Sequence, residues 1–441
     1  MSQSVKTFLM FLFVMANAGA ILAQNCECPP VNTDSPRIRQ LAADIQSGDK
    51  EAANRFWDEM KGRVPLVEFI PPHNEGYMWV TFLWHGGENT KKVTLNGGPP
   101  ASSGTEKPLG RLAQSDVWFR TERLPMDARF NYSFMVTEQI PGTKQSKTEE
   151  LTDPFNSKTF EGDSVMEMVL APLQPWIEPL PGAPVGKITE QKIYSNILNE
   201  ERTLQIYTPP NYIGTGAPYN LIVMFDGDKY LTSIPAPVIM DNMVFKSKIH
   251  PLVAVFIPGN TKDARGRGQR SFDLTCNDNF MEFVVKEVLA LVHKNYNVTR
   301  SPAGSIIAGQ SLGGLQATYI AFKHPEIFGN VISFSGAYFW FPGWPTNEAG
   351  LSTQTGWLAH EVAVSPVKAV KFYLSTGTFE GDGVPEVRRM RDVLTAKGYK
   401  ITYQEYNGGH ERLNWRGLFP EALHVVDGLD SGQVLNPAHK K

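Results

Sequence analysis

The chain has little cysteine and almost no net charge, and each shortage excludes a class of protein. Only 3 cysteines occur in 441 residues, so a dense disulfide framework is excluded, and in a secreted chain the odd count leaves at least one thiol unpaired. The formal net charge of −3 argues against a chain that binds nucleic acid over its whole surface. The Cys26-x-Cys28 pair supplies two ligands where a structural zinc site needs four. We therefore predict no metal site, no cofactor and no nucleic-acid partner.

Long hydrophobic runs are also scarce, and the most apolar stretch lies at the N-terminus. "TFLMFLFVMANAGAILAQ" is shorter than a comfortable membrane span, has a basic residue before it and ends in small residues. This pattern is typical of a secretory signal peptide over residues 1–23, cleaved after Ala23 or Ala20. It predicts a secreted or periplasmic protein without a membrane segment after cleavage. An uncleaved anchor is the alternative, as is lipid attachment at Cys26, which Asn25 disfavours because the preceding residue is normally small.

Hydrophobic patterning divides the rest of the chain into four regions. Residues 31–62 carry apolar residues at helical spacing in two short stretches, which predicts two amphipathic helices. Residues 64–171 hold short aromatic and β-branched runs such as "YMWVTFLW" between turn residues, which predicts a β-sandwich. Residues 172–184 contain five prolines and are predicted to be a linker. Residues 185–429 alternate strands with helices, which is typical of a doubly wound α/β domain.

A glycine-rich turn in the last region joins a predicted strand to a predicted helix. In "IIAGQSLGGLQA", Ser311 follows the strand "SIIAG", which is the context of a nucleophile elbow in an α/β-hydrolase fold. The Leu312 N–H lies at the helix start, where free donors and the helix dipole favour an oxyanion. A second oxyanion donor is expected in "MFDGDKY", from the backbone N–H of Gly227 or Asp228. A simple Asp-Gly turn is the alternative interpretation there.

A serine nucleophile needs a base, and hydrolases of this fold place an acid and then a histidine after later strands. Of the histidines that follow Ser311, only His410, in "YNGGHERLNW", directly follows a predicted strand in a glycine-rich loop. The acid is expected in "TFEGDGVPE", after the strand "VKFYLSTG". We favour Glu380 because it comes first, with Asp382 as the alternative. A Ser-His pair without a strong acid is the third interpretation.

Several stretches together resemble the enterochelin (enterobactin) esterase family, within the esterase D-like group of α/β hydrolases. They include "VTFLWHGG", "MFDGDKY", "RSFDLTCNDNF", "IIAGQSLGGLQATYIAFKHPEIFG" and "GGHERLNWRG", in the family's order over residues 64–425. The resemblance implies an immunoglobulin-like, early-set sandwich before the hydrolase domain. It implies a serine esterase that opens a catecholate trilactone and releases its iron. Ser311 matches the nucleophile, His410 the base, and Asp228 the oxyanion loop.

Two further sets of residues are candidates for substrate contact. The aromatic set matches a region that faces the active site in the family: Tyr338, Phe339 and Trp340. A ferric tris-catecholate is anionic and aromatic, and arginine can meet both the charge and the ring face. The candidate arginines are Arg265, Arg267, Arg270 and Arg416. A solvated charge run is the alternative for the first two, and a structural pair with Asp273 is the alternative for Arg270.

The same residues also allow two other functions. The cytoplasmic members of the family have no signal peptide, in contrast to this chain. Secreted esterases of this fold that carry an N-terminal β-sandwich also remove feruloyl or acetyl groups from plant polysaccharide such as xylan. The partner is therefore a small-molecule ester, such as a ferric siderophore, or a polysaccharide ester. A binding protein with a decayed hydrolase fold is the alternative of another class, which the presence of Ser311 and His410 disfavours.

Overall fold

The structure is a computed structural model, and it describes residues 34–70, 76–99, 106–259, 268–343 and 356–429. Several residues of interest lie outside the described residues: the predicted signal peptide over residues 1–23, Cys26, Cys28, Arg265 and Arg267. The described chain begins with two helices, continues through a β-sandwich and ends in an α/β domain.

Two short helices, α1 (Pro36–Gln46) and α2 (Ala52–Met60), cover one face of the sandwich. Ser35 caps α1, because its side-chain oxygen accepts a hydrogen bond from the Ile38 N–H at 3.2 Å. The apolar faces of both helices are buried in one cluster with Leu83 and Phe119 of the sandwich. Packing against the larger domain therefore stabilises helices that are too short to persist alone.

The sandwich consists of two antiparallel sheets. Its strands are β1 (Leu66–Phe69), β2 (Tyr77–His85), β3 (Thr90–Gly97), β4 (Gly110–Arg111), β5 (Val117–Pro125), β6 (Arg129–Gln139), β7 (Ser146–Leu151), β8 (Thr159–Phe160) and β9 (Asp163–Glu167). One sheet has the order β1-β2-β5-β4, and the other has the order β3-β6-β9-β8 with β7 paired to β6. Alternate side chains of facing strands fill the core, such as Val80 and Phe82 against Phe130 and Phe134.

The proline-rich stretch over residues 172–184 forms no helix or strand, and it is fixed to the α/β domain. Trp176 and Ile177 pack on a hydrophobic core of that domain. The buried amide of Asn242 donates hydrogen bonds to the Trp176 and Glu178 carbonyl oxygens at 2.9 and 2.8 Å. The stretch therefore connects the domains without acting as a free tether.

A largely parallel sheet forms the centre of the α/β domain. Its strands are β10 (Lys187–Ser195), β11 (Glu200–Thr208), β12 (Asn220–Phe225), β13 (Leu252–Ile257), β14 (Ser305–Gln310), β15 (Asn330–Phe334), β16 (Lys371–Gly377) and β17 (Lys400–Tyr406). The order is β10-β11-β13-β12-β14-β15-β16-β17, with β10 and β11 antiparallel to their neighbours. Strands β12 to β17 are parallel, so their carboxyl ends meet at one edge.

Helices cover both faces of this sheet. They are α3 (Gly227–Tyr230), α4 (Ala236–Phe245), α5 (Arg270–Asp273), α6 (Asp278–Glu282), α7 (Leu289–Asn295), α8 (Leu312–Lys323), α9 (Trp357–Val364), α10 (Gly383–Ala396) and α11 (Arg412–Asp427), with a π-helical segment Phe283–Val288 joining α6 to α7. Separate hydrophobic cores lie on the two faces, as expected of parallel strands that are buried on both sides. The architecture confirms the predicted fold class, a β-sandwich followed by an α/β-hydrolase domain.

Candidate active site

Ser311 lies in a strained turn between β14 and α8. Its φ of 58° and ψ of −124° are unusual for a residue with a side chain, and such a conformation costs on the order of 1–3 kcal/mol. Backbone hydrogen bonds hold it in place, because its N–H donates to Phe334 O at 2.9 Å and its carbonyl accepts from the Ala337 N–H at 3.0 Å. None of these bonds uses the hydroxyl group. The turn therefore stabilises the serine backbone and leaves its oxygen available for chemistry.

Two glycines allow strand and helix to approach closely around this turn. A Cβ added at Gly309 would lie 2.2 Å from the backbone of Gly313, and one added at Gly314 would lie 2.5 Å from Ser333 Oγ. Neither position has room for a side chain. The glycine pattern in the sequence thus reflects packing that is required to form the elbow.

The predicted oxyanion donors lie at the starts of two helices whose strands are neighbours. Leu312 begins α8 after β14, and Gly227 begins α3 after β12. The first N–H groups of a helix have no acceptor within the helix, and β12 pairs directly with β14. The Asp228 carboxylate accepts a hydrogen bond from the Gly259 N–H at 2.9 Å and fixes the loop after β13, and the Asp228 N–H stays the alternative to that of Gly227. Backbone donors of both turns are therefore brought to the same edge of the sheet as Ser311.

His410 and Glu380 follow β17 and β16, and they form a close pair. Nδ1 of His410 lies 2.8 Å from Oε2 of Glu380. The carboxylate is 5% exposed and the imidazole is 44% exposed, so a buried acid orients a ring that solvent or substrate can reach. Because a carboxylate only accepts hydrogen bonds, Nδ1 carries the proton in this pair and Nε2 is left as the basic nitrogen. Asp382, the alternative acid, is exposed beside the start of α10.

The second carboxylate oxygen of Glu380 is held by groups that the sequence analysis did not identify. Oε1 accepts hydrogen bonds from Ser335 Oγ at 2.5 Å and from the Gly377 N–H at 2.6 Å, and the Tyr406 hydroxyl lies 3.1 Å away. Trp415 Nε1 donates to the Tyr406 hydroxyl at 2.8 Å, and its ring meets the His410 ring edge-on at 4.9 Å. The one sequence signal that could have found Ser335 and Tyr406 is their position at the ends of β15 and β17.

We expect Glu380→Gln to lower kcat by about 10³–10⁴-fold, as loss of the orienting carboxylate does in a serine triad. The amide can present its NH₂ group to Nδ1 and so favour the wrong imidazole tautomer. Asp382→Asn is the matched control, and its kcat should stay close to wild type. Initial rates on p-nitrophenyl butyrate measure both, and a larger loss in the Asp382 variant would move the acid to that position.

Arg270 does not lie in an open loop, and its partner is not Asp273. It begins the helical turn α5, and its guanidinium makes a paired contact with the buried Asp226, with Nη2 2.7 Å from Oδ2. Asp273 instead pairs with Arg202 at 2.8 Å. Asp226 itself has a φ of 55° and precedes the oxyanion loop at Gly227. The ion pair between Arg270 and Asp226 therefore stabilises the oxyanion loop. The sequence does not indicate this pair, because the two residues are 44 positions apart.

The three aromatic residues proposed for substrate contact are buried to different degrees. Tyr338 is 0% exposed and hydrogen bonds to Ser333 Oγ and Thr318 Oγ1, both at 2.8 Å, so its assignment to substrate contact is wrong. Trp340 is 9% exposed and packs edge-on against Trp357 at 5.7 Å. Phe339, between them, is half-buried. Most of this aromatic stretch therefore belongs to the hydrophobic core. Three adjacent aromatic residues in a turn do not indicate which of them face the core.

Arg416 lies on α11 and faces the sandwich and the connecting segment. Its Nε donates to Gln174 Oε1 at 2.7 Å, and its guanidinium stacks over the Phe160 ring at 4.6 Å. Burial lowers the pKa of this arginine. These contacts hold Arg416 against the protein, and its role in substrate binding stays a prediction.

A cavity of about 420 Å³ opens beside the candidate base. His410, Glu411 and Arg412 line it from the α/β domain, and the rest of the lining comes from the sandwich: Asn96, Gly97, Asn131, Tyr132, Ser133, Glu161 and Asp163. The sandwich domain therefore borders the surface on which His410 is exposed.

Glu411 gives this region a pH dependence that stability measurements can detect. Burial raises the pKa of Glu411 to about 8 despite a hydrogen bond from the Asn131 N–H, and the neighbouring Glu380 and Asp163 carboxylates add to the shift. Between the unfolded pKa near 4.3 and the folded value, the folded state keeps a proton that the unfolded chain releases. Stability contributed by this group is therefore present below about pH 4 and is lost as the pH rises through about 8.

We expect Glu411→Gln to remove that dependence. The variant should come closest to wild type in thermal unfolding near pH 4 and become more stable than wild type by about a few kcal/mol near pH 8. Calorimetric melts at both values test this, and an equal difference at the two would contradict it.

Across the described ranges, no group of three or more His, Cys, Asp or Glu side chains is arranged to hold a metal ion. The helices within them include none that is long and apolar enough to cross a membrane.

Comparison with known proteins links the two domains to one group. The family model "Putative esterase" matches residues 195–425, and the model "Enterochelin esterase, N-terminal" matches residues 79–177. The chain is 29% identical to the Iron(III) enterobactin esterase of Escherichia coli K12, over 71% of this chain and 80% of that protein. It is 25% identical to an Iron(III) salmochelin esterase of Escherichia coli O6:H1, over 89% of this chain and 98% of that protein. A crystal structure of a Shigella flexneri enterobactin esterase, in the presence of enterobactin, superposes with a TM-score of 0.67 at 26% identity, covering 86% of this chain and 98% of that one.

Proposed function

The chain belongs to the enterochelin esterase family of carboxylic ester hydrolases, and on that premise we propose that it hydrolyses a catecholate siderophore with Ser311 as nucleophile. The assignment of roles rests on the pair of His410 Nδ1 and Glu380 Oε2 at 2.8 Å. The two residues follow β17 and β16, which are parallel to β14, the strand directly before Ser311. The relatives named for enterobactin and salmochelin support the substrate class.

The reaction on this proposal has two halves. His410 Nε2 accepts the Ser311 proton as Oγ attacks the ester carbonyl, and the Leu312 N–H together with that of Gly227 or Asp228 stabilises the oxyanion. The imidazolium then gives its proton to the departing alcohol, and an acyl-serine remains. Water, activated by the same imidazole, releases the acid and restores the hydroxyl. Glu380 keeps the ring oriented and stabilises its charged form throughout.

We also propose what happens to the bound iron and where the protein acts. Opening a trilactone lowers its hold on iron, so iron release follows from ester hydrolysis. The N-terminal sequence supports export of the protein, and we propose that it acts in the periplasm or outside the cell. Cell fractionation with N-terminal sequencing of the mature protein tests this, and an intact N-terminus in the cytoplasm would contradict it.

The substrate is tested by direct comparison of two esters. Purified protein should convert ferric enterobactin to linear and monomeric products, while methyl ferulate should turn over much more slowly. Ser311→Ala serves as the background for both reactions. Faster turnover of methyl ferulate, or of acetylated xylan, would favour the carbohydrate esterase. No turnover of any ester would favour a binding protein with a decayed site.

The position of Arg270 gives a further expected result. Arg270→Ala should lower kcat/KM by a similar factor, about tenfold, for the siderophore and for p-nitrophenyl butyrate, because Asp226 loses the partner that braces the oxyanion loop. Asp226→Asn is the matched variant and should behave alike. A loss confined to the siderophore would instead show that Arg270 contacts the anionic substrate.

A further inference from the structure

The loop that carries His410 is hydrogen bonded to the sandwich as well as to its own domain. Its partners in the sandwich are the first residues of β6. The Arg129 N–H donates to Asn407 O at 2.9 Å, and Asn414 Nδ2 donates to Arg129 O at 2.8 Å. The Asn131 N–H donates to Glu411 Oε2 at 2.8 Å. These contacts lie on both sides of His410 in sequence. We call this set of residues the interdomain clamp.

The clamp uses backbone groups that a strand would otherwise leave unpaired. β6 pairs with β9 over Arg129–Tyr132, whereas its pairing with β3 on the opposite edge begins only at Tyr132. The N–H and C=O of Arg129 and the N–H of Asn131 therefore face an open edge. An unpaired edge needs partners, and the loop from the α/β domain supplies them.

The fit between the two domains here is close and largely buried. Arg129 is 6% exposed and Asn414 is 8% exposed. A Cβ added at Gly408 would lie 2.2 Å from Asn414 Nδ2 and 2.5 Å from Arg129 O, so only glycine allows this approach. Asn407 adds a side-chain hydrogen bond to Asp127 at 2.7 Å. The histidine loop cannot shift far without breaking several of these contacts.

The loop that carries Glu380 is docked on the same domain. Phe379, its immediate neighbour, is 7% exposed and belongs to the hydrophobic core of the sandwich. Its ring packs edge-on against Phe130 at 5.7 Å. Phe130 lies between the two clamp residues of β6. Residues 129–131 of the sandwich therefore contact both the loop that carries His410 and the loop that carries Glu380.

We propose that the sandwich domain is a positioning part of the active site, in which residues 129–131 hold the His410 loop and the Glu380 loop at their working separation. This inference rests on the proposed roles of His410 and Glu380. The clamp residues touch no reacting atom on this proposal, and they act through the histidine that lies between them.

The test uses Glu411→Ala and Asn414→Ala with p-nitrophenyl butyrate, a substrate too small to need the sandwich for binding. Displacement of a catalytic group by about 1 Å can cost about a hundredfold, so kcat should fall about tenfold to a hundredfold while KM stays within about twofold. Glu411→Gln keeps an acceptor for the Asn131 N–H and should retain most of the wild-type kcat. Circular dichroism at the assay temperature confirms that each variant is folded.

Asn242→Ala is the matched control, because it removes buried hydrogen bonds to the connecting segment but none to the histidine loop. It should lose stability and keep its kcat. Wild-type kcat in both clamp variants, or an equal loss in the Asn242 variant, would overturn the positioning role. His410→Ala on the same ester separates the two proposals: if that variant kept full activity the catalytic assignment would fail, whereas its inactivity beside active clamp variants would reject the clamp alone.

Discussion

Ser311→Ala is expected to lower kcat on any activated ester by on the order of 10⁴–10⁶-fold, as removal of a serine nucleophile does in a triad that acts as a unit. The fold should be unaffected, because the turn is held by the backbone N–H and C=O of this residue and not by its hydroxyl. Initial rates with p-nitrophenyl butyrate, together with a thermal melt, measure both effects. Wild-type turnover by a folded variant would reject Ser311 as the nucleophile.

His410→Ala is expected to be as severe as the serine change. Without the imidazole nothing accepts the serine proton, and the ring is 44% exposed, so little packing is lost with it. The two losses should not add, because neither residue works without the other. The variant that carries both changes should therefore have nearly the same residual rate as either single variant. A double variant that is far slower than both would show that His410 acts independently of Ser311.

The elbow and the histidine could be located from sequence because their signals are local. Ser311 lies between a continuous apolar strand and a helix, and the glycines around it are required by close packing. The position of His410 directly after a predicted strand distinguishes it from the other histidines. For the acid, the sequence offers only the distance of Glu380 and Asp382 from the end of β16. The path of the loop depends on its packing, here that of Phe379 in the core of the sandwich, and a single sequence does not indicate that packing.

Contacts between residues that are distant in sequence are not indicated by the sequence. Arg270 pairs with Asp226, and Arg416 packs on Gln174 and Phe160. Composition gives the charge of such residues and not their partners. Only the resemblance suggests Tyr338 as a substrate contact, whereas in the structure its hydroxyl is hydrogen bonded inside the core. The clamp joins residues about 280 positions apart, which no pattern in a single sequence indicates.

Labelling with a fluorophosphonate shows directly which residue is the nucleophile. Attack of an activated serine oxygen on phosphorus expels fluoride and leaves a stable adduct, so peptide mass mapping identifies the nucleophile. We expect one adduct on the peptide that contains Ser311 in the wild-type protein, and none in His410→Ala, whose serine lacks its base. An adduct on another residue, or equal labelling of Ser311 in the two proteins, would contradict this expectation.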